Sequence, residues 1–154
     1  MRRLFIRVLA ALLCAGTFSA SAATGRVVKV LPHFLDLKGR HSLSPSLYDR
    51  DAYQAQLRQH PELRSALRFD VHWRASGVTG KLKLRAELRG TAHGNLPGEH
   101  TIETELGRGK SAISRWSSLA LAGEDYKNFG EVTAWRVTLW DGEQLLGEQK
   151  SFLW

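Results

Sequence analysis

The sequence predicts an all-β fold: an antiparallel sandwich of about seven strands with one short helix inserted between the first two. Three observations carry this expectation. Segments 66–74 and 81–89 alternate apolar and polar side chains with period two, the pattern of a half-buried strand, whereas a helix would scatter those side chains around its circumference. Glycines bracket 77–80, Gly, Asn and Pro cluster in 90–98, and Asp141-Gly142 separates two further apolar runs, which places turns at short intervals. The single cysteine, Cys14, lies in the N-terminal segment, so the rest of the chain is expected to be held by packing without disulfides.

The first 22 residues read as an address. Arg2, Arg3 and Arg7 precede the apolar run Val8 to Ala15, and the small residues Ser19-Ala20-Ser21-Ala22 follow. A basic start, a short apolar stretch and an A-x-A end make a secretory signal peptide. The run falls short of the roughly 20 apolar residues that span a bilayer. Cleavage is therefore expected after Ala22, leaving residues 23–154 as one domain that is periplasmic or secreted. Membrane contact is expected only through the leader. Cys14 does not read as a lipoprotein site, because Leu13 stands where such signals carry a small residue. Arg2-Arg3 loosely matches a twin-arginine export signal, without its preceding Ser or Thr. Arg2, Arg3 and Arg7 leave with the leader and no acid goes with them, so three units of the formal charge of +7 are lost. The remainder gives mild attraction to anionic surfaces, and export argues against nucleic acid as a partner.

The elements follow in order. Residues 26–37 form the first strand, with Val27, Leu31, Leu35 and Leu37 on one parity and Val28, Val30 and Phe34 on the other. Pro32 removes a ladder donor and makes this an edge strand or one broken by a bulge. A polar loop covers 38–48. A helix is expected over 52–60, capped by Asp51 with Gln54 as its return partner, facing the sheet with Tyr53 and Leu57 and ended by Pro61. The next strand presents Leu67, Phe69, Val71 and Trp73 on one face, and its successor Leu82, Leu84, Ala86 and Leu88. After the loop at 90–98, a strand at 100–106 carries Ile102, Thr104 and Leu106 on one side. Another is expected at 116–122, and then a loop at 123–130. The C-terminal hairpin runs 131–140, turns at Asp141-Gly142 and returns over 145–154, with Trp135, Val137 and Leu139 facing inward.

This arrangement resembles an immunoglobulin-like or fibronectin type III-like sandwich. The stretch Ala134-Trp135-Arg136-Val137-Thr138-Leu139-Trp140-Asp141-Gly142 looks like the penultimate strand and turn of such domains. The missing disulfide sets it apart from antibody domains, as does the inserted helix. At the level of architecture it is similar to exported bacterial proteins of this build.

Two groups are candidate binding residues. Lys81, Lys83, Arg85 and Arg89 form a basic stripe on the outer face of one strand, able to hold an anionic glycan, phosphate or lipid head group. Glu103 and Glu105 on the next strand would neutralise it if the two strands pair. Of the five tryptophans, Trp73 and Trp135 fall on core faces. Trp140 and Trp154 do not, and could stack on a sugar or grip a protein. The six histidines show no H-x-x-x-H or H-E-x-x-H spacing; His93, His100 and Glu99 flank one loop and are the one cluster that folding could assemble. There is no G-x-S-x-G elbow and no phosphate-loop spacing. The expectation is an exported, non-catalytic binding or accessory domain without a cofactor, with a protein partner in the cell envelope. A carbohydrate-binding sandwich and a hydrolase with a His/carboxylate site are the alternatives.

Overall fold

The computed structural model describes residues 23–92, 96–107 and 113–154; residues 1–22, on which the expected leader and its cleavage site fall, lie outside them. Seven strands among the described residues form two antiparallel sheets: β1 (Thr24–Asp36), β2 (Arg64–Ser76), β3 (Leu82–Ala92), β4 (Leu96–Glu105), β5 (Ile113–Ala122), β6 (Glu131–Asp141) and β7 (Gln144–Lys150). One sheet has the order β1-β2-β5 and the other β4-β3-β6-β7. The expected all-β sandwich is therefore the observed architecture. Helix α1 (Leu47–Gln59) stands between β1 and β2, and α2 (Gly123–Phe129) between β5 and β6.

The alternating positions meet between the sheets. Leu67, Phe69, Val71 and Trp73 of β2 pack against Leu82, Leu84, Ala86 and Leu88 of β3 and Val137 and Leu139 of β6. Trp73 is 1% exposed, and its indole N–H donates to Ser117 Oγ at 3.0 Å, so the one polar atom of the ring is satisfied. Trp135 packs on the same core edge-on to Phe69, with ring centroids 6.1 Å apart.

Both parities of β1 are apolar because the strand changes its inward face. Val27 pairs with Trp73, but Lys29 pairs with His72, and Val28 is bulged out between them. The bulge moves the buried set from Val27 to Val30, as an extra residue on one strand must. Pro32 lies opposite Phe69 on this edge strand, where its missing N–H costs no ladder bond.

Several boundaries differ from expectation. Helix α1 begins five residues earlier than the Asp51 cap implied: Ser46 is the N-cap and accepts from the Asp49 amide. Gln54 is therefore not a capping partner. It sits 4% exposed beside the edge of β1, where its Oε1 accepts from Phe34 N–H and its Nε2 donates to Phe34 C=O, both at 2.9 Å. The primary amide imitates a neighbouring strand and covers an edge that would otherwise template aggregation. Leu57 is fully buried as predicted, while the Tyr53 hydroxyl donates to Asp36 at 2.7 Å. Replacing Gln54 with alanine is expected to lower stability by about 2 kcal/mol through the unpaired Phe34 groups, and to raise light scattering of the concentrated protein as the edge opens.

Residues 123–130 are not a loop: Gly123 (φ 62°) and Gly130 (φ 83°) delimit the short helix α2. It closes one end of the sandwich and places Phe129 in the core. The final strand ends at Lys150, so 151–154 form a separate tail. In the C-terminal hairpin Gly142 takes positive φ (57°). Asp141 has a different task. Its carboxylate is buried and accepts the amides of Thr79 (3.0 Å) and Gly80 (2.7 Å), fastening the β2–β3 turn to the end of β6.

Candidate functional site

The basic stripe and the two tryptophans lie together on the outer face of the four-stranded sheet. β3 and β4 pair in a register that sets Lys83 against Glu105, Arg85 against Glu103 and Arg89 against Glu99. Lys83 and Arg85 both reach Glu103, Lys81 reaches Glu105 at 3.5 Å, and Arg89 reaches Glu99 at 3.2 Å. The Arg85 and Lys83 side chains, acting on Glu103, hold that carboxyl below its usual value. The stripe is neutralised within its own sheet, which is how exposed cross-strand charges ordinarily stabilise one.

Trp140 and Trp154 are half-buried in the same layer. The Arg85 guanidinium lies 5.3 Å from the Trp140 ring centre, and the indole N–H of Trp140 donates to Thr138 Oγ1 at 2.8 Å. The tail turns back because Ser151 N–H donates to Trp135 C=O, while Ser151 Oγ accepts from Trp135 N–H. This brings Trp154 under Arg89 at 4.2 Å and Arg136 at 5.0 Å, and Arg136 is itself paired with Glu87. Each indole thus takes part in a cation–π contact that competes with a sugar for the same π surface.

The outer face of the three-stranded sheet is organised differently. Asp70 on β2 accepts from Ser118 Oγ (2.6 Å) and from Arg68 (3.0 Å), and faces His33 Nδ1 at 3.2 Å. Burial pushes the Asp70 carboxyl up, but His33, Ser118 and Arg68 together outweigh it and hold it well below the carboxylate range. His41 accepts from Arg68 at 3.1 Å; burial first, then the Arg68 charge, holds its pKa down. The serine and the imidazole occupy opposite oxygens of one carboxylate. Nucleophilic catalysis needs the base on the hydroxyl, so this group acts as a fastening between β1, β2 and β5.

For the loop cluster, His93 lies outside the described residues. Glu99 points outward to Arg89, while His100 packs edge-on to Phe129 and lies 4.0 Å from Asp125. Among the described residues no group of three His, Cys, Asp or Glu is placed to hold a metal ion.

Two surfaces were not singled out from sequence. Leu43, Leu47 and Tyr48, at the start of α1 and in the loop before it, are 60%, 67% and 83% exposed. Trp116 on β5 is 53% exposed and stacks on His72 with ring centroids 5.0 Å apart and planes at 15°. The signal for Trp116 was present, since it shares parity with Ser118 and Ala120 and not with Leu119 and Leu121. No protein-family model, curated protein or solved structure matches this chain.

Proposed function

We propose that this chain is a non-catalytic binding module of immunoglobulin-like or fibronectin type III-like build, exported behind the leader at 1–22, which engages a protein partner in the cell envelope. The strand order β1-β2-β5 against β4-β3-β6-β7 supports the family-level reading. The observation that carries the binding reading is the apolar group Leu43, Leu47 and Tyr48, left in water where α1 begins. Large apolar side chains grouped on a small domain mark association surfaces, and tyrosine supplies contact area at low entropic cost. The helix beneath is anchored: Arg64 donates to the carbonyls of Leu57 and Arg58, pairs with Glu131 at 3.0 Å and stacks over Phe34 at 4.0 Å. A rigid platform loses little freedom on binding.

The test is recovery of partners from the envelope fraction with protein expressed from the full chain, beside a variant carrying Leu47→Ser and Tyr48→Ala. Both positions are exposed, so melting temperature and far-UV circular dichroism are expected to stay unchanged. Recovery of one specific protein is expected to fall by about tenfold, the loss of roughly 1.4 kcal/mol that one anchor residue carries. Equal recovery by both forms, or the absence of any specific partner, overturns the reading.

A further inference from the structure

We propose that the end of the three-stranded sheet around Arg26, Arg74 and Trp116 binds an anionic saccharide, a sugar chain bearing carboxylate, phosphate or sulfate groups. The site lies at the end of the sheet away from α1, and it does not depend on the protein-binding reading.

The first support is uncompensated charge. Arg26 and Arg74 stand directly opposite each other on β1 and β2, and Lys29 follows on the same face opposite His72. Like charges opposed across a ladder destabilise it. On the four-stranded sheet Lys83, Arg85, Arg89 and Arg136 each meet an acid. Among the described residues Arg26, Lys29 and Arg74 form no ion pair, and Asp70, two residues from His72 on the same face, is already taken by His33, Arg68 and Ser118. The second support is shape. A concavity of about 480 Å³ opens here, lined by both arginines and by the hydroxyl-bearing Thr24, Ser76 and Ser114, within the range of small-ligand clefts.

The third support is the aromatic neighbour. Ser114 lies opposite Arg74, and Trp116 opposite His72. The imidazole backs the indole, and Ser114 Oγ, 2.8 Å from His72 Nε2, holds the imidazole. With the imidazole stacked on one face, the half-exposed ring keeps its other face, on which the apolar face of a sugar can lie. From Arg26 across β2 to β5 is two strand spacings, about 10 Å. A short run of linked sugars covers that span, whereas one small anion does not. Hydroxyls beside the charges suit a ligand that is polar along its length. The exported location expected from the leader favours acidic glycans over nucleic acids as the polyanion encountered.

The experiment measures binding of protein from the full chain to polygalacturonate, dextran sulfate, neutral dextran and a single-stranded oligonucleotide at about 0.15 M salt. Binding to the two acidic polysaccharides, little to neutral dextran and weaker binding to the oligonucleotide is expected; whichever acidic polymer binds tighter names the anionic group. Arg26→Gln with Arg74→Gln is expected to weaken binding about tenfold, with a melting temperature at or above that of the parent because two opposed charges are gone. Trp116→Ala is expected to weaken it about fivefold. Lys38→Gln with Arg58→Gln removes the same charge elsewhere and is expected to change it less than about twofold. Should the double arginine variant fail to fold, Arg74→Gln alone gives the same reading. Equal losses in the control variant, no effect of Trp116→Ala, or an oligonucleotide bound as tightly as the acidic glycans overturns the proposal.

Discussion

Replacing Gly90 with alanine is expected to destabilise the protein by about 3 kcal/mol, a fall of roughly 10 °C in melting temperature, read by thermal or urea unfolding. The reason is a close backbone approach. β3 and β6 shift register between Arg89 and Gly90, and the crowding falls on this glycine. A Cβ placed there would lie 2.2 Å from the Glu131 carbonyl oxygen and 2.8 Å from the Phe129 ring. The ring can turn aside, but the carbonyl belongs to the first residue of β6, so the central pair of the four-stranded sheet must part to admit a methyl group. A neutral Gly90→Ala variant would show that β6 does not approach β3 this closely.

The second large effect is expected at Asp36. This buried carboxylate accepts from the amides of Lys38 and Arg40 at 2.8 Å, from Arg40 Nε at 2.9 Å and from the Tyr53 hydroxyl at 2.7 Å. It ends β1, shapes the loop after it and ties that loop to α1. Burial pushes its pKa up, yet the Arg40 amide, the Tyr53 hydroxyl, the Arg40 side chain and the Lys38 amide outweigh burial and hold it well below the carboxylate range. Asp36→Ala strips several donors of their acceptor and is expected to cost about 3 kcal/mol. The pH dependence has a fixed sign. A carboxyl depressed in the folded state contributes stability that is complete above its unfolded value of about 3.9, and that is lost as pH falls from there toward the folded value. Asp70 acts in the same sense. Stability is therefore expected to decline steadily below about pH 4, and Asp36→Asn is expected to make the decline shallower by up to one proton. An unchanged slope in that variant would show that Asp36 is not the titrating group.

The legible part of this fold is the part ruled by side-chain period. In β2, β3 and β6 the residues that alternation selected face the core, although Ala66, Ala134 and Thr138 of the opposite parity are buried too and Trp135 is only half-buried, and the pairing of β3 with β4 could be foreseen from Lys and Glu at matching spacing. What escaped had a local signal with two readings. Gln54 three residues after Asp51 reads as a capping box, but the helix begins at the Ser46 cap, and only the tertiary fold gives Gln54 the β1 edge to cover. Residues 124–129 are mostly polar and bounded by glycines, which describes a loop as well as a short amphipathic helix closing a sandwich. The bulge at Val28 was visible only as two apolar parities.

The candidate surfaces were harder still. The basic stripe attracted notice because its charges are close in sequence, but closeness along a strand is also what lets the neighbouring strand answer each charge. Arg26 and Arg74 are 48 positions apart and become a pair only through the β1–β2 register. Charge left unanswered is a property of pairing, and pairing is long-range.

The amide of Gln54 on the flank of β1 bears on the order in which the polypeptide takes shape. The two residues lie only 20 positions apart, whereas β2 meets β5 across pairs such as Phe69 and Leu119. A thread emerging amino end first displays β1 together with its guard well before β5 arrives. The vulnerable border can be shielded while most of the two-sheet stacking is still to come, and the slow long-range docking proceeds with that border already closed to neighbouring copies.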